Sequence, residues 1–338
     1  MTRGPGPFRQ TQPWSRPDIP LFSNSPPPQA WLRCGLYCPR VILAQGKYRM
    51  WFSGTPVRPA LCRSSIGYAE SDDGLTWELH PDNPVLTSDG LSWGQDVQTP
   101  WVLFDEDAGL YEMWFCSTTH TEYLDDGLLL KDIKQDLGRA TSRDGIHWDI
   151  WPEPVSETCR APCVVKEGGR YRTWMNARPD LDEPFETLYS NIYEFWSGDG
   201  IVWTRRDRPA VQATGRTKTC VYPYVLKLGG TYYMWHIGHL KEPNGATVKA
   251  DFEISCDTSE DGSTWKLDHE APAFAASRDP GRFDVKWVST PCVVEAGDLL
   301  RLYYAGCNLR SGNPNLFEGS DNGEGLHIAL ATMPKDRL

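Results

Sequence analysis

The chain has 338 residues, 34 Lys and Arg against 45 Asp and Glu, and a formal net charge of −11. That acidity, with no basic run longer than two residues, argues against a nucleic acid or an anionic membrane as partner. No apolar run nears the roughly 20 residues of a membrane span, and the opening MTRGPGPFRQTQPWSRP holds no apolar leader core, so a cytoplasmic protein is expected.

The aromatic count is high, with 15 Trp, 14 Tyr and 11 Phe, and it comes with 30 Gly and 27 Pro. That mixture points to many short strands joined by turns. In chain order, residues 1–17 are Pro/Gly/polar and are expected to form a loose arm. A short proline-apolar strand follows, DIPLF (18–22). A unit of about 61 residues then recurs five times. Each unit opens on an apolar strand carrying a proline: Pro39, Pro100, Pro162, Pro223 and Pro291, spaced by 61, 62, 61 and 68 residues. An aromatic strand comes next: YRMWFSG (48–54), YEMWFCS (111–117), YRTWMNA (171–177), YYMWHIG (232–238) and LRLYYAG (300–306).

The third strand runs into a Ser-x-Asp-Gly-x-x-Trp turn in four units: SDDGLTW (71–77), SRDGIHW (142–148), SGDGIVW (197–203) and SEDGSTW (259–265). An Asp-Gly pair suits a tight hairpin because both residues tolerate positive φ. A proline-apolar fourth strand closes the same four units: NPVL (83–86), EPVS (153–156), RPAV (208–211) and APAF (271–274). The fifth unit has no fourth strand, and the unpaired DIPLF supplies one.

The fold expected is therefore all-β: a five-bladed β-propeller of four-stranded antiparallel blades, closed by an N-terminal strand that completes the last blade. The blades fall at about 34–86, 94–156, 157–211, 218–274 and 284–334 plus 18–22, as one domain over 18–338. Proline on the first strand fits an inner edge facing the central channel. The ten cysteines form no CxxC pair and are expected to be small core residues.

In such a ring the connections from second to third strand, and from one blade to the next, share one face. The second-to-third connections are the long ones, so the candidate site lies at the channel mouth on that face. Polar residues where sister blades are apolar mark it further. Asp96, Asp284 and Glu157 stand at the heads of inner strands and are the candidate acid/base carboxylates. Arg160 and His236 are candidates to bind an anionic group. Tyr37, Arg33, Asn176, His239, Trp287, Glu253 and His120 complete the candidate ligand contacts. Asp284 or Asp96 could equally cap a turn. Arg139 and Glu194 are expected to pair between blades two and three. Residues 121–136 are expected to form either a helical lid or a plain loop insertion. No metal or cofactor is expected.

Tyr-x-Met-Trp followed by IGYAESDDGLTW, NPVL and a proline-bearing strand resembles the five-bladed glycoside hydrolases and phosphorylases. These are the arabinanase/xylosidase, invertase/levansucrase and mannoside-phosphorylase families, and the resemblance covers about residues 18–334. It implies cleavage of glycosidic bonds by paired carboxylates at the mouth, about 5–9.5 Å apart. The families' catalytic set is not preserved. Where the arabinanase/xylosidase branch opens its first inner strand on Asp, this chain has LRCGLYCPRVI (32–42), and KTCVYPYVL (218–226) opens blade four without a carboxylate. In the mannoside phosphorylases an Asp directly precedes Pro-Arg in blade two; here Asp96 lies four residues before Pro100. The expected function is an enzyme acting on a sugar or sugar-like metabolite, often an anionic one, with altered chemistry such as a lyase, transferase or isomerase. The alternative is a non-catalytic propeller that binds a glycan or a protein partner.

Overall fold

A computed structural model describes residues 11–23, 30–32, 35–55, 64–123, 130–178, 191–213, 217, 219–239, 252–268, 271–308 and 325–338. Blade one comprises β1 (Gly35–Ala44), β2 (Lys47–Thr55), β3 (Ser65–Ser71) and β4 (Glu78–Leu79). Blade two comprises β5 (Gln98–Asp105), β6 (Leu110–Tyr123), β7 (Leu130–Ser142) and β8 (Asp149–Ile150). Blade three comprises β9 (Cys159–Glu167), β10 (Arg170–Ala177), β11 (Ile192–Ser197) and β12 (Thr204–Arg205). Blade four holds β13 (Val221–Leu228), β14 (Thr231–His239) and β15 (Phe252–Ser259); blade five holds β16 (Trp287–Ala296), β17 (Leu299–Cys307) and β18 (Leu326–Pro334). The pairs within each blade are antiparallel. Among the described residues there is no α-helix, and no helix long and apolar enough to cross a membrane.

The proline-apolar fourth strands pair at the outer edge through Ile66–Leu86, Leu137–Ser156, Ile192–Val211 and Ile254–Phe274. The N-terminal segment makes the equivalent pairing in blade five, Phe22 with Ile328 and Ser15 with Thr332. Residues 11–17 are thus no loose arm. Arg16 ion-pairs with Asp284, and Thr11 N–H donates to the Pro272 carbonyl at 2.8 Å.

A repeated fastener joins the blades. Trp51, Trp114 and Trp174 each donate Nε1–H to the glycine carbonyl of the next blade's Asp-Gly turn: Gly145, Gly200 and Gly262, at 2.8, 2.9 and 2.8 Å. Tyr303 closes the ring by donating to the Gly74 carbonyl at 2.8 Å. Blade five has no Asp-Gly turn for Trp235. Gln12 of the N-terminal segment takes that place, accepting from Trp235 Nε1 at 3.0 Å. The turn aspartates are structural: Asp73, Asp144, Asp199 and Asp261 each accept two backbone N–H groups of their own turn.

The five inner strands share a bulge the sequence did not announce. Register slips across the proline and the residue before it in every blade. Cys38, Thr99, Ala161, Tyr222 and Thr290, each just ahead of its proline, take φ between 48° and 56°. Proline bars its predecessor from the right-handed helical region, and positive φ on a residue other than glycine costs about 1–3 kcal/mol. A latch to another blade offsets that cost. The freed N–H groups of Thr99, Ala161, Tyr222 and Cys38 donate to Ser53 Oγ, Cys116 Sγ, Asn176 Oδ1 and Thr290 Oγ1, at 2.8, 3.1, 3.0 and 3.1 Å.

Two expectations need correction, and a third holds. Arg139 does not meet Glu194: it pairs with Glu112 inside its own blade, while Glu194 holds Arg172 and Arg206 in blade three. The stretch 121–136 forms no helix among its described residues, because β6 and β7 extend outward as a hairpin with Ser117–Asp136 and Thr121–Ile133 paired. The cysteines described are free and mostly buried. Burial pushes Cys116, Cys159 and Cys163 up to about 12, so they stay protonated and are poor nucleophiles.

Candidate functional site

The residue two before each proline is the last one paired ahead of the register slip: Tyr37, Gln98 and Arg160 in blades one to three. Tyr37 donates its phenol proton to Gln98 Oε1 at 3.2 Å and lies 2.9 Å from Ser64 Oγ. Gln98 Nε2 donates to Asp96 Oδ2 at 3.0 Å, and Thr118 N–H donates to Asp96 Oδ1 at 2.7 Å. Asp96 is fully buried. Desolvation outweighs its hydrogen bonds and lifts its carboxyl to about 7.

Arg160 is half-buried, with its guanidinium 5.5 Å from the Tyr222 ring. Burial raises Tyr222 to about 12, with Arg160 opposing the rise. The Cys116 thiol feels both the Arg160 and the Asp96 charge, which places the cation and the acid in one neighbourhood. Trp287 packs edge-on against Phe252, centroids 5.2 Å apart, in a small apolar cluster that Tyr37 borders. Tyr37 thus borders two groups: Gln98, which holds Asp96, and the Trp287–Phe252 cluster.

The other candidates lie elsewhere. Asp284 sits in the connection entering blade five, and its carboxylate is taken by Arg16, by Arg282 at 3.3 Å and by the Tyr304 hydroxyl at 2.9 Å. No partner is shared between it and Asp96. Glu157 is exposed and pairs with Lys134 at 3.2 Å. Asn176 is an inter-blade latch: Nδ2 donates to the Asn191 and Cys220 carbonyls, and Oδ1 takes Tyr222 N–H. Glu253 is buried against Arg278 at 3.3 Å. His120 is exposed on the β6 extension. Arg33 and the His239 side chain lie outside the described residues, as do long stretches of the second-to-third connections.

His236 belongs to the interior. Its Nε2 is 2.9 Å from Asp257 Oδ2, both fully buried. Burial alone would lower the imidazole, but Cys220 and Asp257 outweigh it and raise His236 to about 10. Asp257 was missed although the repeat marks it: sister blades carry Ala69, Ala140, Phe195 and Ala331 there. Gln98 and Tyr222 are the further mouth residues. Among the described residues no group of three His, Cys, Asp or Glu could hold a metal ion.

No protein-family model matches the chain. A Mycobacterium tuberculosis protein of uncharacterized function, Rv1502, is 27% identical over 276 residues, covering 77% of this chain and 83% of that one. Solved structures share the architecture at low identity. BT0996 in its RGII complex superposes with a TM-score of 0.70 at 17% identity, over 96% of this chain and 92% of that one. A structure from the GH130 family of mannoside phosphorylases, which contains glycoside hydrolases targeting beta-1,2 mannosidic linkages in Candida mannan, gives 0.66 at 16%, over 99% and 97%. A Bombyx mori GH32 beta-fructofuranosidase in complex with sucrose gives 0.65 at 15%, over 93% and 62%. The chain has the five-bladed propeller fold of these glycoside hydrolases and phosphorylases.

Proposed function

We propose that the mouth binds a small, anionic, sugar-like metabolite and that Asp96 is its single acid–base group. The observation that carries this is one carboxyl near neutrality, about 7, in the same neighbourhood as an Arg160 guanidinium. A group titrating near the working pH can both give and take a proton. Arg160 takes the anion as a planar donor fork. Tyr37, Tyr222 and Trp287 wall the ring. A single acid is favoured over a carboxylate pair because Asp284 is already held by Arg16 and Arg282. The reaction class that suits one acid beside a cation is proton transfer next to an anionic group, as in an isomerase or lyase.

The second reading, a non-catalytic binder, is favoured by the complete burial of Asp96 behind Gln98. One experiment separates the two. The protein is incubated with a panel of sugar phosphates and uronates, and substrate consumption and binding are followed by proton NMR. Catalysis predicts that Asp96→Asn abolishes turnover by more than 100-fold and keeps binding. Turnover unchanged in Asp96→Asn ends the acid–base assignment.

A further inference from the structure

The residues just after the five inner-strand prolines are Arg40, Trp101, Cys163, Tyr224 and Cys292, and Arg40, Trp101 and Tyr224 line an axial cavity with the prolines. Four of them fasten the neighbouring blade. Arg40 Nε and Nη2 donate to the Val102 carbonyl at 3.1 and 3.0 Å, and Trp101 Nε1 donates to the Val164 carbonyl at 2.6 Å. Val225 N–H donates to Cys163 Sγ at 3.1 Å, and Val41 N–H to Cys292 Sγ at 3.3 Å. Arg40 does something more. It crosses the axis, lies 3.9 Å over the Trp101 ring and donates from Nη1 to the Tyr224 hydroxyl at 3.0 Å.

Arg40 is 7% exposed as a residue, and no carboxylate of the described residues pairs with it. The groups that feel its charge are the Cys163 and Cys292 thiols and the Tyr224 phenol, all raised by burial and therefore neutral. A buried cation without a counter-charge is costly. Arg40 also borders a cavity of about 40 Å³ on the axis, walled by the five prolines. The cavity is partly open and has room for a small ion together with a few waters. Thr99 and Thr290 line the same cavity. Thr290 Oγ1 accepts the Cys38 N–H at 3.1 Å and so keeps its own proton to donate. Thr99 is 5% exposed, and its hydroxyl meets no oxygen or nitrogen partner, only the Cys116 thiol. Each of Arg40 Nη1 and Nη2 retains one further N–H, since a guanidinium carries five.

We propose that this axial cavity is a binding site for one small monovalent anion of the halide class, held by the Arg40 guanidinium and the Thr99 and Thr290 hydroxyls. The site lies beneath the ligand proposed for the mouth, with Tyr222 bordering both. Its occupant supplies the charge that Arg40 lacks and ties blades one, two and five at the axis.

The test uses the whole chain. Crystals soaked in sodium bromide are measured at the bromine absorption edge. An anomalous peak on the axis within hydrogen-bonding range of Arg40 is expected; no peak there overturns the proposal. In solution, bromide is titrated at constant ionic strength held with sodium HEPES, with HEPES alone as the control. A saturable rise in midpoint temperature, on the order of 2 °C, is expected for the wild type and for Arg160→Gln. It should vanish in Arg40→Gln, and weaken in Thr99→Val should Arg40→Gln fail to fold. A rise that persists in Arg40→Gln, or is lost in Arg160→Gln, contradicts an Arg40 site independent of the mouth.

Discussion

Asp96 and His236 are two departures from the repeat with opposite consequences. Asp96 has a folded value of about 7, above the roughly 3.9 of an unfolded chain. The folded state therefore holds its proton more tightly, and stability falls as pH climbs from about 4 to about 7, by roughly 4 kcal/mol at most. Asp96→Asn should remove that slope, and urea melts at pH 4.5 and 7.5 would show it. A slope unchanged in the variant would place the titration elsewhere. His236, raised to about 10, stabilises through Asp257 most fully below about 6.5 and loses that contribution as pH rises through 10. Asp257→Asn leaves a buried imidazole without its carboxylate and should cost about 3–5 kcal/mol at pH 7. Equilibrium denaturation would measure it; a loss below about 1 kcal/mol would mean the pair carries little charge.

At the scale of strands and turns, the sequence was most legible where the repeat was strictest. The prolines located the inner strands, the Ser-x-Asp-Gly-x-x-Trp motifs located the outer turns, and DIPLF located the closing strand. What stayed hidden was the use of these motifs between blades. The partner of Trp114 is a glycine carbonyl 86 residues away, and local pattern cannot show so distant a bond. The same limit explains the candidate site. Asp96 and Arg160 stood out as departures from the repeat, and the Cys116 thiol lies in the field of both. Asn176 and Asp284 were candidates too, but long-range latches absorb them. Two predictions follow the fasteners. Trp174→Phe removes one buried donor from the Gly262 carbonyl and should cost about 1–3 kcal/mol, read from the shift in denaturation midpoint. Deleting residues 1–22 removes the outer strand of blade five and the Gln12 acceptor of Trp235 together. The truncated chain should lose cooperative unfolding; a melt like that of the full chain would show that closure does not depend on this segment.

For the molecule as a whole, the scaffold and the chemistry separate. Five blades, a ring of prolines and a closing N-terminal strand give the propeller shared with glycoside hydrolases at 15–17% identity. The proposed mouth combines the buried Asp96, Arg160 and an aromatic wall, while Arg16 and Arg282 hold Asp284. The central claim is that this mouth selects an anionic, sugar-like ligand. Titration calorimetry with glucose, glucose 6-phosphate and glucuronate, against wild type and Arg160→Gln, tests it most directly. The account predicts that an anionic probe binds at least 10-fold more tightly than glucose and that Arg160→Gln erases the difference, a change of about 1.4 kcal/mol or more. Glucose binding as tightly as both anions, or an anion preference that survives in Arg160→Gln, would contradict it.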